Sequence, residues 1–386
     1  MFSADSLADI VFGIQRNFLK NFHIFRGMDR TELNDRFKQI LEATVLPQRT
    51  PSEEVQRQLQ TIENLVKPNV PERLFRFRSA NLHSVMSFEH NTITLCSADL
   101  FPDRFDSVVY VNKDKICNDV NLGFDWEFQK SIIDEVRQTG RFPEALAHLY
   151  SEANAAQLIS LYTTASDEEI IAGWEYSKKH IQQQILDNIS PLATQQISAT
   201  RQNTETKIAC FTEDVRSAHM WDRYADGYRG FALEYDLRGP IVGEETEEQD
   251  EKVYPALYPV IYSDTKYDAT EIASWNLANE FYTATGLSSP SFPDILYWRK
   301  AFLYKDAASY GHEREWRFMC TCKKSQDSKF MEITSGNRMK AIYYGPYIAA
   351  DTKEHLSIWA KRHKIKEYNV ALDDNSRSFE LSIKPI

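Results

Sequence analysis

Gly311-His312-Glu313-Arg314-Glu315-Trp316-Arg317-Phe318-Met319-Cys320 is the stretch on which the fold turns. It alternates as a β-strand does, with successive side chains pointing to opposite faces. Glu313, Glu315 and Arg317 are expected on one face, and Arg314, Trp316 and Phe318 on the other. Two carboxylates beside a guanidinium form either a charge-balanced ladder between strands or the wall of an active site.

Outward from this strand the texture is mixed. Leu74 to Arg78, Asn91 to Ser97, Ser107 to Val111, Thr206 to Glu213, Arg229 to Asp236 and Val253 to Tyr262 read as strands before it, and Met331 to Thr334, Ala341 to Tyr344, Glu367 to Ala371 and Phe379 to Ile383 as strands after it. Helices are expected over Leu82 to Phe88, Val215 to Tyr228, Asp268 to Tyr282, Asp294 to Lys305 and Asp351 to Arg362. The chain from about Trp126 to Ile189 reads as a helical insertion, with a capping box at Ser166 to Glu169. At the N-terminus, Leu7, Ile10, Val11, Ile14, Phe18 and Phe22 recur at helical spacing. Thr50-Pro51-Ser52-Glu53 reads as a helix start with Thr50 as the cap. The expected class is α+β: a mixed, largely antiparallel sheet core over residues 71–386, an N-terminal helical unit over 1–68 and the insertion at about 126–189.

Composition narrows the function. The 386 residues carry a net charge of −11, which disfavours long non-specific contacts with a phosphate backbone. Five cysteines without a CxxC pair fit a reduced cytoplasm better than a disulfide framework or a zinc site. The N-terminus is acidic where a secretory signal is basic, and no apolar run approaches the ~20 residues that span a bilayer. The run Glu244 to Glu251 reads as a solvated loop.

Three segments hold candidate chemistry. Arg76 and Arg78 share a strand face and match phosphate oxygens, or else they guard an edge strand. Trp221 and Tyr224, after the strand ending at Thr212, either stack on a ring or belong to the core. Glu205-Thr206-Lys207 matches half of a metal-dependent nuclease core. Neither a Rossmann fingerprint nor a P-loop is present, and the nine histidines form no spaced ligand set, so no metal is expected.

Leu74 to Arg78, Thr94 to Asp106, Cys210 to Asp236 and Glu313 to Arg317 together resemble, in order and content, a mainly bacterial family catalogued as domain of unknown function 2971. The resemblance covers most of Pro71 to about Pro346. The motif order is also similar, more loosely, to that of ADP-ribosyltransferases. That similarity implies an NAD-using mono-ADP-ribosyltransferase-like enzyme, an effector of bacterial stress or phage defence. It implies Glu315 as catalytic with Glu313 assisting, and Arg76 or Arg78 on the pyrophosphate. It implies Ser97, Thr212, Trp221, Tyr224 and Arg317 around the cofactor. Phe211-Thr212-Glu213 departs from the Ser-Thr-Ser strand of those enzymes. The expected partners are a protein or nucleic-acid acceptor and a protein docked on the helical segments, with no membrane. The alternatives are a metal-dependent nuclease using Glu205 and Lys207, and a non-catalytic sensor or adaptor.

Overall fold

The computed structural model describes residues 28–386 except 144–145, 147–151, 204, 240–255, 285–289, 322–328, 373–376 and 378–379. The expected helix through Leu7 to Phe22 and the acidic run from Glu244 lie outside the described residues. Helices α1 (Arg30–Ala43) and α2 (Ser52–Val66) come first. Asp29 caps α1 by accepting from the Glu32 N–H. Thr50 does not cap α2: Pro51 holds the cap position and no side chain closes that end. Leu33, Phe37 and Leu41 of α1 and Ile62, Leu65 and Val66 of α2 enter the same core as Leu74, Phe211 and Trp316, so these helices are built into the main body.

Strand β1 (Leu74–Arg78), helix α3 (Leu82–Glu89) and strand β2 (Thr92–Cys96) follow as expected. The strand expected at Ser107 to Val111 is absent. Ser107 has φ 60°, a left-handed turn that interrupts extended backbone, and only Tyr110 makes an isolated bridge, to Asp268. The helical insertion is longer than expected, running through α4 (Lys113–Gly123), α5 (Trp126–Thr139), α6 (Glu152–Thr164), α7 (Asp167–Ser177) and α8 (Gln183–Gln202). The capping box at Ser166 and Glu169 is formed.

The remaining strands before the opening stretch are β3 (Thr206–Thr212), β4 (Phe231–Tyr235), β5 (Ala256–Pro259), β6 (Ile261–Ser263) and β7 (Tyr304–Asp306), with helices α9 (Ala218–Tyr224), α10 (Thr270–Ala284) and α11 (Tyr297–Ala301) between them. The helix expected through Lys305 ends at Ala301 because Leu303 gives its carbonyl to Ile261 and the chain pairs with β6 as β7. A one-turn helix, α12 (Ala307–Tyr310), leads to strand β8 (Glu315–Thr321). That strand starts two residues later than expected. Arg314 sits at φ 48°, ψ 49°, outside the extended region, so Glu313 belongs to a single 3₁₀ turn. Strands β9 (Phe330–Thr334) and β10 (Met339–Tyr344), helix α13 (Ala350–Arg362) and strands β11 (Lys366–Leu372) and β12 (Leu381–Pro385) complete the described chain.

The main sheet runs β12-β11-β10-β4-β1-β3-β2-β9, with β8 along β3 and β5 beyond β8. Its pairs are antiparallel except β10 with β11, which α13 joins as a crossover. β8 pairs with β3 from Thr206 to Thr212, leaving the other edge of β3 to two strands: β2 at Ile208 and β1 at Thr212. The sheet therefore forks, with β1 and β2 diverging from a common neighbour. One core lies on the Leu74, Leu233 and Tyr235 face, and a second, holding Phe75, Phe77, Ala232, Tyr343 and Trp221, on the other. Among the described residues no helix is long and apolar enough to cross a membrane.

The turn after α9 is pressed against the end of β1. A Cβ at Gly230 would lie 2.0 Å from the Arg78 carbonyl oxygen, a backbone atom with nowhere to go. Gly230→Ala is expected to lose at least about 1–3 kcal/mol of stability, measured as a lowered urea midpoint. An unchanged midpoint would mean that the turn is not packed in this way.

Candidate functional site

The end of β3, the 3₁₀ turn and the start of β8 converge on one buried ionic cluster. Arg317 is fully buried and hydrogen-bonds Asp106 through both terminal nitrogens, at 2.8 and 2.5 Å. It also donates to Glu315 Oε1 at 2.8 Å and to the Phe302 carbonyl at 2.7 Å. Lys305, delivered by β7, reaches Glu313 Oε2 at 2.6 Å and Glu315 Oε2 at 2.8 Å. Three carboxylates and two cations thus share one apolar surround, a net charge of −1 when all are ionised.

The backbone is held as tightly as the side chains. Thr212 donates its hydroxyl to the Glu313 carbonyl at 2.5 Å, tying the turn to β3. Tyr262 accepts from the Glu315 N–H at 2.8 Å, and Arg30 of α1 donates to the Glu315 carbonyl at 2.7 Å. Glu313 Oε1 faces α9, where it accepts from the Tyr224 hydroxyl at 3.0 Å and lies 3.5 Å from His219 Nε2. Glu313 is thus the carboxylate joining the buried cluster to partly exposed side chains.

Charge states follow from these contacts. Burial opposes ionisation of Glu315, but Arg317 and then Lys305 outweigh it and hold the carboxyl well below the usual range. Burial would likewise lower Lys305, yet Glu315, assisted by Asp106 and Glu313, holds the ammonium well above the usual lysine range. Tyr224 is pushed up by burial and by the adjacent carboxylates, so it stays a neutral donor. His312 is shifted down by burial and by His219, whose ring lies 4.4 Å away edge to face.

The expected site residues divide into groups. Glu313, Glu315, Arg317, Thr212 and Tyr224 come together in the cluster. Glu315 has both carboxylate oxygens engaged, and Arg317 is enclosed by Asp106, Glu315 and Phe302, so neither presents a free face. Trp221 has no exposure, stacks edge to face on Phe77 at 5.0 Å and donates to the Val215 carbonyl, which is the core reading. Ser97 is fully buried and directed at the Lys329 carbonyl.

Arg76 and Arg78 do not touch the cluster. Phe75 pairs with Thr212, which pairs with Glu315, so the register sets the two arginines on the alternate face of β1, at the fork. Arg76 donates to the Thr94 carbonyl at 2.5 Å, while its Nη1 is shielded from solvent and without a partner. Burial and Arg76 depress the Arg78 guanidinium to about 9. Burial pushes the Cys96 thiol up against the opposing pull of Arg76, Arg78 and Arg317, and the Cys210 thiol donates to Glu315. Lys207 is fully buried on the strand face opposite Cys210, and Glu205 precedes the strand.

The sequence assigns no role to Asp106, Lys305 or His312, and His219 enters only as a neighbour of Trp221 and Tyr224 on the expected helix. Asp106 closes the second motif segment, His219 lies inside the third next to Met220, and His312 immediately precedes the fourth, so position in or beside a motif was the available signal. Lys305 was hidden in the expected helix. A shallow groove of about 530 Å³, lined by Arg73, Asp236, Arg238, Trp359 and Lys364, shares no residue with the cluster.

Fold and site together define an α+β protein with a buried acid–base cluster that meets the partly exposed side chains of α9 through Glu313. The model of the family described as "Protein of unknown function (DUF2971)" matches residues 220–318, from α9 through most of β8. That segment contains Tyr224, Lys305, Glu313, Glu315 and Arg317, and is shorter than the span from Pro71 to Pro346 over which the motifs resemble the family. No curated protein and no solved structure matches the chain.

Removing Lys305 leaves two buried carboxylates without their shared cation. Lys305→Met is expected to cost about 3–5 kcal/mol in denaturant unfolding, and a loss below about 1 kcal/mol would contradict the cluster's role. The pH dependence has a definite sign. Glu315 is depressed on folding, so its stabilisation is complete above its unfolded pKa of about 4.3 and is lost as pH falls toward the folded value. Lys305 is raised, so its contribution is complete below about 10.4 and is lost only as pH rises toward its folded value. Wild-type stability should therefore drop on acidification below about pH 4, with a shallower drop in Glu315→Gln.

Proposed function

We propose that the protein breaks the nicotinamide–ribose bond of NAD and transfers ADP-ribose to an acceptor, with Glu313 rather than Glu315 as the carboxylate at the reacting centre. The observation that carries this reading is the division of labour at Glu313: Oε2 is gripped by Lys305, while Oε1 faces Tyr224 and His219. Departure of nicotinamide leaves positive charge on the ribose. A fixed carboxylate stabilises that charge and orients a ribose hydroxyl without reorganising at the moment of reaction. Glu315, whose two oxygens are held by the buried cations Arg317 and Lys305, is a positioning residue: it holds Lys305, which holds Glu313.

The residues fit the dinucleotide in part. The partnerless Nη1 of Arg76, beside Arg78, suits an anionic phosphate group. Arg317, Ser97 and Trp221 are engaged elsewhere and are left out of the binding set. The arginine pair and Glu313 make no contact, so one ligand would have to reach both across the fork. The acceptor on this reading is a protein or nucleic acid.

Incubation with NAD labelled in its adenylate half, with and without cell lysate, tests the proposal. Nicotinamide release and label transfer are expected from the wild type, with Glu313→Gln reduced by at least about 100-fold and folded normally by circular dichroism. Absence of release and transfer from the wild type, or a folded Glu313→Gln with full activity, would overturn it.

A further inference from the structure

We propose that His219, His312 and Glu313 form a binding site for a divalent transition metal of the zinc class. One imidazole nitrogen from each histidine and a carboxylate oxygen of Glu313 all lie within 4.8 Å of one another. The chain brings them from distant positions: His219 from the first turn of α9, and His312 and Glu313 from the 3₁₀ turn before β8.

Two further observations point to a ligand. His219 Nε2 is shielded from solvent and has no hydrogen-bond partner, an arrangement that leaves a polar atom unsatisfied unless something binds it. It lies 3.5 Å from Glu313 Oε1. Bonds of about 2.0–2.1 Å to a tetrahedral zinc ion separate its ligands by about 3.4 Å, so these two atoms already stand at the spacing of two ligands on one ion. The two imidazole rings lie edge to face with their centroids 4.4 Å apart.

The surroundings complete the case. Glu313 is oriented by Lys305 on Oε2 and Tyr224 on Oε1, the kind of outer contact that fixes a ligand carboxylate. Two imidazoles and one carboxylate favour zinc, cobalt or nickel over magnesium or calcium, which prefer all-oxygen sites. Three protein ligands leave a fourth position for water or another oxygen. The inference goes beyond the transferase reading and does not rest on it. A bound ion would occupy the oxygen that reading assigns to the reacting centre, so metal and transfer chemistry would compete for Glu313.

The experiment is a Co²⁺ titration of the metal-stripped full-length chain, read by visible d–d absorption and followed by Zn²⁺ displacement. His219→Ala and His312→Ala are the test variants. His180→Ala is the control, since that exposed ring stacks on Tyr176 and hydrogen-bonds the Tyr176 carbonyl. The expected result is one ion per chain with tetrahedral-type absorption, displaced by Zn²⁺. Affinity should weaken at least about tenfold in each test variant and stay unchanged in the control. Circular dichroism melts establish that the variants are folded, and His219→Gln and His312→Asn replace any that are not. Absence of binding by folded wild type, or affinity unaffected by substitution of both histidines, would overturn the proposal. The readout needs no NAD, so it stands or falls separately from transferase activity.

Discussion

Arg317 has no access to solvent, and its charge is met by Asp106 on one side and Glu315 on the other. A buried guanidinium is tolerated only where desolvation is repaid by close, well-directed partners. This one has a bidentate carboxylate, a second carboxylate and a backbone carbonyl. It ties the loop after β2 to β8 and to the chain entering β7. With Arg317 and Lys305 in place, Glu315 stays ionised inside the protein, and Lys305 can also hold Glu313.

The arrangement explains why a strand with two acids can lie inside a sheet. β8 is flanked by β3 and β5, and Trp316 and Phe318 pack in the main core, so its charged face has no route to bulk water. Compensation comes instead from Lys305 and Asp106. Glu313 differs because the left-handed Arg314 ends the strand before reaching it. Its carboxylate is directed to the junction with α9, where Tyr224 and His219 approach. The same turn joins the buried charges to the outer histidines.

Much of the sheet was legible because β-branched and aromatic runs mark strands whatever their partners. β2, β3, β4, β9, β10 and β11 lie where the pattern puts them, within a residue or two. The misses have local causes. Ser107 adopts a left-handed backbone, and Leu303 enters a strand through a pairing with Ile261 that no helical periodicity reveals. At the site, the grouping of Glu313, Glu315 and Arg317 was legible from alternation, although Glu313 reaches it from a turn. That Glu315 is held between Arg317 and Lys305 while Glu313 turns one oxygen toward Tyr224 and His219 depends on Lys305 and Asp106, which lie 10 and 209 positions from Glu315 in the chain. The side-chain sharing of a cation between those distant positions leaves no mark in the sequence pattern.

The central claim is that Asp106 and Arg317 act as one energetic unit. A double-mutant cycle on unfolding free energy, with Asp106→Asn, Arg317→Met and the double variant, tests it directly. A coupling of at least about 1.5 kcal/mol is expected, within the range for buried contacting charges. Additivity of the two substitutions to within about 0.5 kcal/mol would contradict the account.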